Sequence, residues 1–223
     1  FAGSVGGTGS ADVLRVTQTG DITTFGDASD GIFAQSAGGQ QTGKAVTVTL
    51  NSGDIVTAGA ESNGIFAQST GQGGRDDITV TIADAHSVVM GGSHTGAAVR
   101  FADGATNLLT NHGAISTVDG LSGTPIVGTT GNETIANFGT VTGSIDLGAG
   151  TNVFDNASSG LFITGEHVAL GSTSTLINAG TLSSGDWGHV QTTTVDGKMT
   201  QTGTPVWLVD LGAGGTSDRL AMT

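Results

Sequence analysis

The stretch Gly31-Ile32-Phe33-Ala34-Gln35-Ser36 returns as Gly64-Ile65-Phe66-Ala67-Gln68-Ser69. The offset is 33 residues, and the match extends back to Gly20-Asp21-Ile22 and Gly53-Asp54-Ile55. Phe1-Ala2-Gly3-Ser4-Val5-Gly6-Gly7 aligns with Phe33 to Gly39, and a degraded copy follows at Gly96-Ala97-Ala98-Val99-Arg100. An internal period of this length marks a stacked repeat architecture. The chain opens inside a copy, with no Met and no signal peptide, so it is expected to be part of a longer protein.

A second motif, Asn-x-Gly-x-(Ile/Val/Leu), runs further along the chain. It occurs at Asn51, Asn111, Asn137 and Asn178, with looser copies at Gln18, Asp84 and Asn156. Successive starts lie 33, 33, 27, 26, 19 and 22 residues apart, which suits turns of a solenoid whose loops vary in length. Between the motifs are short alternating runs, Val13–Thr17, Val46–Leu50 and Ile78–Ile82, bounded by Gly, Asn, Asp and Ser. Such runs predict strands. The predicted fold is an all-β parallel β-helix, with Gly and Asn at the corners and like residues in inward columns. One such column is Ile22, Ile55, Val88, Ile115, Val141 and Leu182. Seven rungs about 4.8 Å apart make a rod about 34 Å long.

Composition agrees. The 223 residues include 40 Gly, 2 Pro and no Cys. Collagen, disulfide scaffolds and thiolate metal sites are excluded on that count. Six Lys and Arg against 19 Asp and Glu give a net charge of −13, so no nucleic-acid partner is expected. No apolar run reaches the roughly 20 residues of a membrane helix.

After Ser184 the pattern changes. Both tryptophans, Trp187 and Trp207, lie beyond it. Val195-Asp196-Gly197-Lys198 reads as the turn of a hairpin between His189–Val195 and Met199–Thr202. The domain organisation is therefore rungs over 1–184 and a C-terminal β-hairpin cap over 185–223.

The Gly-Ile-Phe-Ala-Gln-Ser repeats resemble the passenger repeats of large Gram-negative autotransporters. The stretch Gly143–Asn156 resembles rungs that such passengers carry nearer the C-terminus, and Gly215-Thr216-Ser217-Asp218-Arg219-Leu220 resembles the start of their autochaperone region. The resemblance covers nearly the whole chain. It implies a right-handed parallel β-helix, export through the outer membrane, display at the cell surface or release, and a C-terminal barrel lying outside this sequence.

Candidate chemistry is sparse. The histidines at 86, 94, 112, 167 and 189 show no HxH or HxxxH spacing, and the sequence has no G-x-S-x-G elbow. Gly148–Asp155 partly matches a Ca²⁺-binding nonapeptide, with Leu147 and Asn152 in place of its Gly and Asp. Asp54, Glu61, Asp76 and Asp77 with Arg75 and Arg100 allow a lyase-like groove, or simply a solvated loop. No cofactor or metal is expected.

The sharper candidates are Phe33, Gln35, Phe66 and Gln68. In Ile32–Ser36, alternation places Phe33 with Gln35 opposite Ile32, Ala34 and Ser36. If the glutamines face out, the phenylalanines form an outward stripe that would bind a host-surface protein or glycan, or another rod. If the phenylalanines face in, the glutamines form a buried ladder. Two functions stand: an adhesive or structural rod, non-catalytic, or a β-helix lyase or hydrolase. A passive stalk is a variant of the first.

Overall fold

The computed structural model describes residues Phe1–Thr223 as strands wound into successive turns, with one 3₁₀ turn at Gly120–Ser122. In chain order, the first rung holds β1 (Ala2–Val5), β2 (Leu14–Thr19) and β3 (Ile22–Thr24). The second holds β4 (Ile32–Ala37), β5 (Val46–Ser52) and β6 (Ile55–Thr57), and the third β7 (Ile65–Thr70), β8 (Ile78–Ile82) and β9 (Val88–Gly91). Then come β10 (Val99–Asp103), β11 (Thr106–Asn111) and β12 (Ala114–Thr117), followed by β13 (Ile126–Val127), β14 (Asn132–Asn137) and β15 (Thr140–Asp146). The chain continues through β16 (Val153–Asn156), β17 (Leu161–Ala169), β18 (Thr175–Asn178) and β19 (Thr181–Ser184). It closes with β20 (Thr192–Asp196), β21 (Lys198–Gln201), β22 (Val206–Leu208) and β23 (Arg219–Met222).

Every ladder between these strands is parallel, and each strand lies on its counterpart one turn away. This is a parallel β-helix. The second face is an 8-stranded sheet, β2-β5-β8-β11-β14-β16-β18-β21. Eight strands at about 4.8 Å span about 34 Å. The first face runs β1-β4-β7-β10-β13 and the third β3-β6-β9-β12. Both join one 15-stranded sheet because β15 and β17 bend through the corner between them. The start of each long strand belongs to the third face and its end to the first.

Period-2 burial fills the interior. On the first face Ile32, Ile65, Val99, Ile126, Ile145, Val168 and Val195 follow one another in register and are buried. The third-face column is Ile22, Ile55, Val89, Ile115, Val141, Phe162 and Leu182, with the exposed Trp207 next in register. The expected Val88 is thus replaced by Val89. Ile82 to Val89 takes seven residues where Leu50 to Ile55 takes five, so the corner is longer and Ile55 meets Val89, 34 residues on, rather than the residue at the 33-residue offset. Phe162, between Val141 and Leu182, was not anticipated. Its ring stacks at 4.5 Å on that of Phe154, which arrives from the second face.

The corner asparagines divide into two groups. Asn111, Asn137, Asn156 and Asn178 point inward and are fully buried. Each Nδ2 of the first three donates to the next Oδ1, at 2.9, 2.8 and 2.8 Å. Asn51 is exposed, because Leu50 and Ile82 hold the same inward place in earlier rungs. The neighbouring glycines serve two ends. Gly53 has φ +92°, a left-handed conformation. Gly139 has ordinary φ, but a Cβ there would lie 2.1 Å from the Gly113 carbonyl oxygen. Its requirement is room for the adjacent rung.

The expected hairpin at Asp196-Gly197 is not formed. β20 pairs with β17 and β23, while β21 pairs with β18, all parallel. Gly197, at φ +134°, turns the chain from the first face to the second. Parallel pairing keeps Val195 on the buried column above Val168, whereas a hairpin would lift it off. One antiparallel bridge, Leu211 to Ser217, occurs in this segment. Met199 and Leu220 pack partly buried against the core, so residues 185–223 add a further turn of solenoid. No helix is long and apolar enough to cross a membrane.

Candidate functional site

Strands β4 and β7 place Ile32, Ala34 and Ser36, and Ile65, Ala67 and Ser69, inside. Phe33, Gln35, Phe66 and Gln68 therefore face outward and are half-buried. The register is direct: Phe33 lies beside Phe66 and Gln35 beside Gln68. The Phe33 and Phe66 ring centroids are 4.7 Å apart with planes at 4°, and Phe1 stacks on Phe33 at 5.4 Å and 29°. The rings are piled along the rod axis. Phe33 is covered on both faces by Phe1 and Phe66, and the ring edges point away from the core.

The glutamines form a parallel rail. Gln35 Nε2 donates to Gln68 Oε1 at 2.6 Å, and Gln68 Nε2 to Asp103 Oδ2 at 3.4 Å. Arg75 closes the rail, 3.9 Å from Asp103 Oδ1, and donates to the Thr130 carbonyl at 3.2 Å. One rung beyond Phe66 the column holds Arg100. Its Nε donates to Asn63 Oδ1 at 2.9 Å and its Nη2 to the Thr95 carbonyl at 2.5 Å. Burial lowers the Arg100 pKa, opposed by the charges of Asp30 and Asp146. Arginine starts so high that it stays cationic. The face thus carries an apolar ridge, an amide rail beside it, and one fixed positive charge at the ridge's end.

The other candidates do not converge. His86 contacts Asp84 at 3.1 Å, His94 contacts Ser93 at 3.1 Å, and His112 stacks on Phe138 at 4.9 Å. No group of three His, Asp or Glu side chains is arranged to hold a metal ion. Asn152, in the nonapeptide-like stretch, faces inward and donates to the Leu147 and Leu170 carbonyls. Ser36 and Ser69 tie down the loops that follow them. Ser36 Oγ accepts from the Lys44 N–H at 2.9 Å and Ser69 Oγ from the Asp76 N–H at 3.0 Å.

The acidic residues carry a role the sequence reading missed. Asp21, Asp27, Asp30 and Asp54 accept the N–H groups of Asp54, Ala60, Asn63 and Val88, at 2.7–2.9 Å. Asp77 does the same for Thr106 and Asp119 for His94. Each carboxylate satisfies a backbone donor that a corner would leave unpaired. The recurrence of Asp21 at Asp54, at the repeat offset, was the available signal. Arg75 and Arg100 are likewise engaged, with Asp103 and with Asn63.

Comparison of the chain with family models, with curated proteins and with solved structures returned no match.

Proposed function

We propose that this chain is a non-catalytic rod that works by contact, secreted or displayed at a bacterial surface as its resemblance to autotransporter passengers implies. The contact surface is the first face, with Phe33, Gln35, Phe66 and Gln68 at its centre. The observation that carries this reading is the stacked ladder, two half-exposed rings in register and a third, Phe1, 87% exposed. The lyase reading draws no support from the side-chain pairings, because both arginines near the acidic loops are already hydrogen-bonded.

The ring geometry favours one class of partner. A sugar stacks on an aromatic face, and here both faces of Phe33 and the face of Phe66 toward it are covered by neighbouring rings. Exposed ring edges form a ridge that packs into apolar grooves on protein, a host-surface protein or a second rod. The chain's charge of −13 opposes rod–rod approach at low salt, which favours the host protein.

The test is binding of the purified chain to host-cell and bacterial surfaces beside a Phe33→Ser, Phe66→Ser double variant. The expected outcome is host-cell binding weakened about tenfold in the variant, the scale of losing part of two buried phenylalanines. Equal binding by the variant would remove the ridge from the account. Absence of binding to either surface would make the chain a stalk.

A further inference from the structure

An apolar hollow of about 210 Å³ opens on the outside of the third face, away from the phenylalanine ridge. Leu161 and Ile163 contribute from β17, where their neighbours Phe162 and Thr164 point inward. Leu208 and Val209 come from β22 and the residue after it, and Trp187 from the loop following β19. Trp187 is 90% exposed. Two carboxylates, Asp186 and Asp210, also line it, with Ser183 and Gly185 between the apolar residues and the loop.

These carboxylates are fixed in place. Asp186 Oδ1 accepts the Trp187 N–H at 2.7 Å, and Asp210 Oδ2 accepts the Gly188 N–H at 2.7 Å. The second bond ties the tryptophan loop to the segment after β22. No lysine, arginine or histidine of the chain forms an ion pair with either, the chain's ion pairs being Arg75–Asp103 and His86–Asp84. An apolar hollow with unneutralised carboxylates suits a ligand that is apolar along its length and positive at one end.

We propose that this hollow receives the side chain of an arginine presented by a partner protein. Its volume is below the roughly 300 Å³ at which pockets for drug-sized ligands begin, and suits one long side chain. The methylene stem lies against Leu161, Ile163 and Leu208. The guanidinium meets the carboxylates and the indole, which it stacks on more readily than a hydrated ammonium does. The chain's charge of −13 draws a basic partner toward it. The site lies on a different face from the ridge, and its test is independent of the ridge's.

The experiment titrates the whole chain with N-acetyl-arginine N-methylamide and follows the Trp187 indole N–H by NMR. The neutral isostere N-acetyl-citrulline N-methylamide is run beside it. A saturable shift of the Trp187 signal with arginine, about tenfold weaker with citrulline, supports the site. Asp186→Asn with Asp210→Asn should bring arginine down to the citrulline level while keeping the acceptor oxygens that hold the loop. Should that variant unfold, raised salt on the native chain replaces it and should weaken arginine binding alone. Equal binding of the two probes, or no saturable shift with either, overturns the proposal. So does loss of the shift in the Phe33→Ser, Phe66→Ser chain.

Discussion

Glu133 is a carboxylic acid with no access to water. It is fully buried between Asn107 and Asn152 in neighbouring rungs. Oε1 accepts from Asn107 Nδ2 at 2.9 Å, while Oε2 has no partner. Burial raises its pKa above the ordinary 4.5, with the Asn107 bond opposing. The folded chain then holds this proton more tightly than the unfolded chain. Its contribution is most favourable below the unfolded value, and stability falls as pH rises from about 4.5 through the folded value. Glu133→Gln is therefore expected to raise neutral-pH stability by about 1 kcal/mol or more and to flatten that fall. Urea unfolding at pH 4 to 8 measures both. Parity with Ile135 marks position 133 as inward, yet a lone acid on a strand reads as solvated. The same parity argument did place Phe33 and Gln35 together on one face. It left open which face was outside, and Ile32 and Ala34, both buried, decide that.

At the scale of the element, alternation and the 33-residue offset made the strands and the first two complete rungs legible. The corners were less so. A corner's length is set by which carbonyls and side chains of the next rung it must clear, and that depends on residues about one turn away. Val88 and Asn51 were misplaced by one position for this reason. The Asp-Gly pair at 196–197 is a local turn signal that serves a hairpin or a solenoid corner equally well. The adjoining rung decided it, because parallel pairing buries Val195. Val195→Ala should thus cost about 1–2 kcal/mol, a core-column value that an exposed hairpin residue would not show. Gly139→Ala, facing the Gly113 carbonyl, should cost about 2 kcal/mol or more, because backbone must move. Gly203→Ala is the reference, since open space surrounds that residue and only its φ of +65° is at stake. Chemical denaturation of the three variants checks the ordering.

At the scale of the molecule, each rung is held by its neighbours through columns, an asparagine ladder and Asp-capped corners, and the outside is left free to vary. That freedom is why the contact surfaces were only partly visible in the sequence. The ridge was legible because Phe33 and Phe66 repeat. The hollow at Trp187 was not, because its residues come from three separated segments and belong to no repeat. Net charge alone points to neither, because acidic residues are spread along the chain and Asp186 and Asp210 stand out only once the hollow brings them together. The central claim is that the first face makes the contact. Carbene footprinting of the chain, free and bound to host cells, tests it most directly. The account predicts protection of Ile32–Ala37 and Ile65–Thr70, with the second-face strands Val46–Ser52 and Ile78–Ile82 labelled equally in both states. Protection of the second face, with Phe33 and Phe66 still labelled on the bound chain, would contradict it.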